Sequence, residues 1–230
     1  ASEDPTHPAR AALRGKFLTT LAWQARGSGW SSTVSDQGWR KMAERLEQAS
    51  EVLTTAYEKN PGDYLSATEM LTVELGQGNG RAAMEKWFEC AMKGHPDNYS
   101  ACQANVWYLQ PRWYGSGEAV FQFGLECVKT GNWRAKLPLI LPGGLSDVAD
   151  GDDALYRNEE LWKLVKPVFE EFLKRYPESI GVRTSYADWA ARGGHLDELA
   201  VQLAALGPNW NRSCWSQSDY QRISHLAARR

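Results

Sequence analysis

Cysteine is scarce in this chain: there are four thiols in 230 residues, none in a CxxC pair and none at metal-type spacing with the four histidines. That excludes a disulfide-stapled miniature and a zinc-ribbon module. An excess of one charge is missing too. With 26 basic against 28 acidic residues the formal charge is -2, so nothing in the overall balance favours nucleic acid or an anionic membrane as partner. Long apolar runs are absent: the least charged one, Leu137 to Leu145, holds two prolines and two glycines and falls far short of the roughly 20 residues of a membrane span. Strand-like alternation is absent as well, and with it any glycine loop that would cradle phosphate after a strand.

Catalytic signatures are also lacking. Ser116 lies in Gly-Ser-Gly rather than in a nucleophile elbow, and His7, His95, His195 and His225 fall in the lead-in, in turns or near the end, where no zincin helix uses them. The acidic run Asp147, Asp150, Asp152, Asp153 has the order Asp-x-x-Asp-Gly-Asp-Asp, which does not match an EF-hand loop and reads as solvated charge ahead of a helix. No catalytic residue, metal or cofactor is therefore named from the sequence, although an acid–base site can still be assembled from carboxylates remote in the chain. No feature fixes a compartment. Because it begins at Ala1 without an initiator methionine, the chain is expected to be a processed protein or an excised domain.

What the chain does have is a recurrence. The positions Ala49, Leu53, Ala56, Pro61 return as Met84, Phe88, Ala91, Pro96 and again as Ala119, Phe123, Glu126, Gly131, each with offsets of 4, 3 and 5 and with 35 residues between copies. The offsets recur at Val165, Phe169, Phe172, Pro177 and at Leu196, Ala200, Leu203, Pro208, after intervals of 46 and 31 residues. A period of this length is one helical hairpin, which cannot bury its apolar side alone and must stack on neighbours. The fold expected is all-α: a single array over residues 1–230 of about five stacked antiparallel hairpins, an α-solenoid, with an irregular insertion near 131–157.

Local signals place the helices. Residues 1–7 read as a frayed lead-in. A first helix is expected over Ala9 to Ala25 with Leu13, Phe17, Leu21 and Trp23 toward the core, then a long one capped by Ser35 or Asp36 with Trp39, Met42, Leu46, Ala49, Leu53 and Ala56 on one face. Tyr64 to Leu75, Arg81 to Lys93, Asn98 to Leu109 and Gly117 to Lys129 follow. Prolines and glycines cut a possible helix over Trp133 to Leu141 short, and helices resume at Asn158 to run to the end of the chain. Eleven tryptophans are more than a core of this size buries without partners, so some rings should line a groove or an interface. Cys90 and Cys102, each six residues from Pro96, would lie at matching heights in a tight hairpin, which permits a disulfide. A helix cysteine is otherwise a small buried hydrophobe.

The signature positions resemble the tetratricopeptide class, of which this would be a degenerate member: Met84 and Glu126 stand where small residues belong. The stretches Ala25 to Trp30, Pro96 to Tyr99, Tyr108 to Ser116 and Thr130 to Trp133 are similar to a family of bacterial tetratricopeptide-like proteins termed a domain of unknown function. Its Pro-Arg-Trp-x-Gly-Ser element matches Pro111 to Ser116 here. The class resemblance implies that ligand-facing positions lie on the first helix of each hairpin, which in the third repeat gives Ala101, Ala104, Asn105, Tyr108 and Arg112. Asn105 is then either the amide that holds a peptide backbone or a solvated helix residue. Arg112 and Tyr114 add a cation and a ring of the kind that dominates recognition patches. Trp113 is expected as a structural anchor filling the gap between hairpins, and Ser116 as the cap of the next helix. The expected function is a non-catalytic scaffold that binds a protein or peptide. The alternatives are an enzyme or enzyme-associated domain with a carboxylate site formed only in three dimensions, and a spacer in a larger chain.

Overall fold

A computed structural model describes residues 8–228; the expected lead-in over residues 1–7, His7 included, lies outside them. Among the described residues the chain is all-helical, with eleven α-helices, two single 3₁₀ turns (Ser31–Thr33 and Leu137–Leu139) and no strand. The helices are α1 (Pro8–Arg26), α2 (Asp36–Lys59), α3 (Tyr64–Gln77), α4 (Arg81–Gly94), α5 (Tyr99–Tyr108), α6 (Gly117–Lys129), α7 (Ile140–Ala149), α8 (Glu159–Arg175), α9 (Ile180–Gly193), α10 (Leu196–Leu206) and α11 (Gln217–Ala227). None is long and apolar enough to cross a membrane. The sequence leads one to expect one array; the contacts divide the chain into two compact units, residues 1–119 and 120–230.

The recurring prolines have a structural counterpart. After α2, α4 and α8 the chain makes the same turn, with Pro61, Pro96 and Pro177 following an extended C-cap residue that proline's ring would not let continue as helix. In each, the next N-cap residue donates its N–H to the C-cap carbonyl (Asp63 to Asn60, 2.9 Å; Asn98 to His95, 3.0 Å; Ser179 to Tyr176, 3.1 Å). The N-caps share one backbone geometry, φ -74, -78 and -76 with ψ 83, 81 and 84. Asp63 and Asn98 then close the first turns of α3 and α5 by accepting backbone N–H groups.

In the first unit α2 is the amphipathic backbone of the packing. Ser35 accepts the Gly38 N–H at 3.1 Å and starts the helix, and Met42, Leu46, Ala49 and Leu53 are buried along one face. Met42, Leu46 and Leu53 each contribute about 2 kcal/mol by leaving water. Helix α1 packs against α2 and α3, and α3 against α4 and α5. The face of α1 differs from the expectation: Leu13 and Phe17 are 65% and 62% exposed, and Ala12, Thr19 and Ala22 are buried instead. The reason is close approach. A Cβ at Gly15 would run into the buried Leu53 side chain, so only the small-residue face of α1 fits against α2.

In the second unit the packing runs α7 to α8, α8 to α9, α9 to α10 and α10 to α11, with α11 returning to α9. Its core is aromatic, with Tyr156, Trp162, Phe169, Tyr186, Trp189, Trp210 and Trp215 buried among Leu141, Val165, Leu199 and Ile223. Two indoles have partners, the Trp189 Nε1–H donating to Ser146 Oγ at 2.9 Å and the Trp210 Nε1–H to the Trp215 carbonyl at 3.1 Å, whereas the buried Tyr186 hydroxyl has none. The segment expected to break at Pro142, Gly143 and Gly144 is instead helix α7, which contains all three along with Asp147. Pro142 is the third residue of that helix, where its missing N–H would have had no intrahelical acceptor. The loop begins only at Asp150 and Gly151, both at positive φ. Cys90 and Cys102 are not bonded; all four cysteines are free thiols.

Candidate functional site

Helices α1, α3 and α5 together line a groove. One section, about 680 Å³, is lined by Lys16, Thr20, Trp23 and Gln24 of α1, by Thr68, Glu69 and Thr72 of α3, and by Ser100 and Ala104 of α5. A second, about 530 Å³, continues along Leu13, Leu65, Tyr64, His95, Asn98 and Tyr99 and shares Lys16, Thr68, Glu69 and Ser100 with the first. The shared residues make the two sections one groove.

The local sequence explains its shape. Lining residues stand four apart on each wall, Lys16 and Thr20, Thr68 and Thr72, Ser100 and Ala104, so each pair lies on one helix face, and all but Lys16 are small. The Thr20 and Thr68 hydroxyls donate back to the carbonyls of Lys16 (2.8 Å) and Tyr64 (2.6 Å). The Asn98 amide donates to Thr68 Oγ1 at 2.8 Å while its carbonyl oxygen caps α5, and so fixes the spacing between α3 and α5. Across the floor, Lys16 Nζ lies 3.5 Å from Glu69 Oε1. Burial pushes the Glu69 carboxyl above its ordinary pKa, against the opposing pull of Lys16. Leu13 and Leu65 supply exposed apolar rims.

One end of the groove is indole. Trp23 meets Trp113 edge to face, with centroids 5.6 Å apart at 89°, and both indole nitrogens are buried without a hydrogen-bond partner. Trp113 is thus half-buried against α1, in the position of an anchor, and Ser116 accepts the Ala119 N–H at 3.1 Å at the start of α6.

The expected ligand-facing residues separate. Asn105 and Tyr108 are only 7% and 1% exposed, so neither projects into an open groove. The correction is one of helix rotation: α5 turns Ala101, Asn105 and Tyr108 inward and leaves Ser100, Gln103, Ala104 and Trp107 outward. Tyr114 stacks on Tyr108 (4.9 Å, 27°), shields it, and reaches toward the Leu75 carbonyl at 3.4 Å. Arg112 is at the surface with its guanidinium 5.0 Å above the Trp107 ring. Of the acidic run, Asp153 is taken by Arg192 at 2.6 Å. Among the described residues no group of three or more His, Cys, Asp or Glu side chains is placed to hold a metal ion. Sequence reasoning misses Lys16, Thr68, Glu69 and Thr72; the signal it offers is the four-residue spacing of Lys16 with Thr20, Thr68 with Thr72 and Ser100 with Ala104.

No family model, no curated protein and no solved structure matches the chain.

Proposed function

We propose that the chain is a helical-repeat scaffold of tetratricopeptide-like build that holds an extended segment of a partner protein in the groove of α1, α3 and α5. The observation that carries this reading is the groove itself: two adjoining sections run across α1, α3 and α5, with small hydroxyl and methyl groups of Thr20, Thr68, Thr72, Ser100 and Ala104 in the lining, and are bounded by exposed Leu13 and Leu65. An extended peptide offers that lining alternating side chains and unpaired amides, which thread between small walls and hydrogen-bond to Thr and Ser hydroxyls. The Lys16 and Glu69 pair gives the floor both a donor and an acceptor at one level. The recurrence of one proline turn after α2, α4 and α8 supports the repeat build.

A photoreactive amino acid placed at Thr72 tests this directly. It should cross-link to a single segment of a partner, and the synthetic peptide of that segment should bind the chain in titration. Thr72→Arg with Ala104→Arg should abolish that binding while leaving the melting temperature near that of the parent. Unchanged affinity in the filled variant rejects the groove.

A further inference from the structure

The second unit holds a cavity that the groove reading does not use. It measures about 740 Å³, within the range of small-molecule sites of roughly 300–1,000 Å³. Its charged lining comes from three places: Asp153 and Arg157 from the turn between α7 and α8, Asp188 and Arg192 from α9, and Asp219 and Arg222 from α11.

Three carboxylates and three guanidiniums cancel in total, but not locally. Asp153 faces two cations: Arg192 Nε at 2.6 Å and Arg157 at 3.8 Å. Asp219 and Arg222 serve one another at 3.6 Å. Asp188 has a neutral partner instead, accepting the Trp215 indole N–H at 2.7 Å. Internal pairing therefore leaves one guanidinium in excess at the Asp153 end and one carboxylate in excess at Asp188.

The geometry holds these two excesses apart. Asp188 and Arg192 stand four residues apart on α9, one turn, a spacing that puts Cβ atoms about 5–6 Å apart and would normally let them pair. Arg192 is drawn away: it donates to Tyr156 Oη at 2.8 Å and lies 3.9 Å over that ring, in addition to its bond to Asp153. Arg157 lines the cavity with its side chain 68% exposed, at the rim rather than in the interior. Burial pushes the Asp188 carboxyl above its ordinary pKa, outweighing the Trp215 hydrogen bond and the pull of Arg192 and Arg222, neither of which forms an ion pair with it. Leu196, Ile223 and Leu226 add an apolar wall beside the charges.

We propose that this cavity binds a small zwitterion, a molecule with a free ammonium and a free carboxylate of amino-acid or short-peptide size, with its ammonium at Asp188, its carboxylate at Arg157 and Arg192, and its apolar part against Leu196, Ile223 and Leu226. Neither a simple anion nor a simple cation satisfies both excesses, whereas a dipolar ligand satisfies the two together. The site is separate from the groove of α1, α3 and α5 and stands or falls without it.

Titration calorimetry on the full chain with L-leucine and with leucyl-leucine, each compared with its N-acetylated and its C-amidated form, provides the test. At least one uncapped ligand should bind, and either cap should weaken it by roughly tenfold or more, the loss expected when a charge-assisted hydrogen bond is removed. Tighter binding of the dipeptide assigns the site to peptides, and tighter binding of leucine assigns it to free amino acids. Asp188→Asn, which keeps an acceptor for the Trp215 indole, should weaken the uncapped ligand to the level of its acetylated form. Arg157→Gln at the exposed rim should weaken it to the level of the amide, and provides the test if the Asp188 variant does not fold. No binding of either uncapped ligand at millimolar concentration, or equal binding of capped and uncapped forms, overturns the proposal.

Discussion

Tyr108 is buried, yet its hydroxyl has no hydrogen-bond partner. A hydroxyl stripped of water without replacement costs free energy that the ring's burial must offset, and burial also pushes the phenol pKa upward. Tyr108→Phe removes the oxygen and leaves the stacking on Tyr114 in place. It should therefore stabilise the chain by about 1 kcal/mol in denaturant unfolding. A loss of stability of that size would mean that the hydroxyl is satisfied in solution. The same residue was legible in the sequence only as an aromatic on a first helix. Whether its oxygen faced a ligand or the core depended on the rotation of α5, which Ala101, Cys102, Val106 and Leu109 set by packing inward.

Helix α1 makes the same point for a whole element. Its span follows from its ends, and the Gly27 to Ser32 stretch stops it as expected. Its buried face did not follow from hydrophobicity. Leu13 and Phe17 look like core residues, but burying them would hold α1 away from α2, whereas the Ala12, Gly15, Thr19, Ala22 face admits Leu53 at short range. Gly15→Val should thus destabilise by about 2 kcal/mol through overpacking, with Leu53 forced from its place. Phe17→Ser on the opposite face should change stability by less than about 0.5 kcal/mol. Thermal unfolding of the two variants checks the assignment, and a larger loss from Phe17→Ser would reverse the faces of α1.

At the scale of the molecule the proton balance divides between opposing carboxylates. Burial raises the pKa of Glu69 in the first unit. Burial pushes Glu198 in the second unit up as well, but hydrogen bonds from Lys166 (2.9 Å) and Gln202 (2.7 Å) outweigh it and hold the carboxyl below its ordinary value. A raised folded-state pKa means that the native chain binds the proton more tightly than the unfolded one, so stability from Glu69 rises as pH falls from neutrality through that pKa toward the unfolded value. A lowered one works oppositely: the contribution of Glu198 is present above the unfolded pKa and is lost as pH falls through its folded pKa. Measured against pH, Glu198→Gln should cost most at neutral pH, with the gap to the parent closing on acidification. For Glu69→Gln the parent should gain on the variant as pH falls. Parallel profiles for the two variants would contradict both assignments.

The sequence by itself determined the all-helical class, the ends of most helices and the turns between them. Those depend on local chemistry: the caps Ser35, Asp63, Asn98 and Ser116, the prolines at 61, 96 and 177, and the 3.6-residue periodicity of α2 and α8 are each settled within a few residues of chain. Tertiary structure decided which way each helix faces and what therefore comes together. It turned Asn105 and Tyr108 inward and Leu13 outward, carried α7 through Pro142 and two glycines, and set Lys16 beside Glu69 and Asp188 beside Trp215 across long stretches of sequence. The reason is that helix rotation answers to the shape of the neighbouring helix. A small-residue face that permits close packing can outweigh a more hydrophobic face that does not, and nothing local to the helix records which neighbour it will meet.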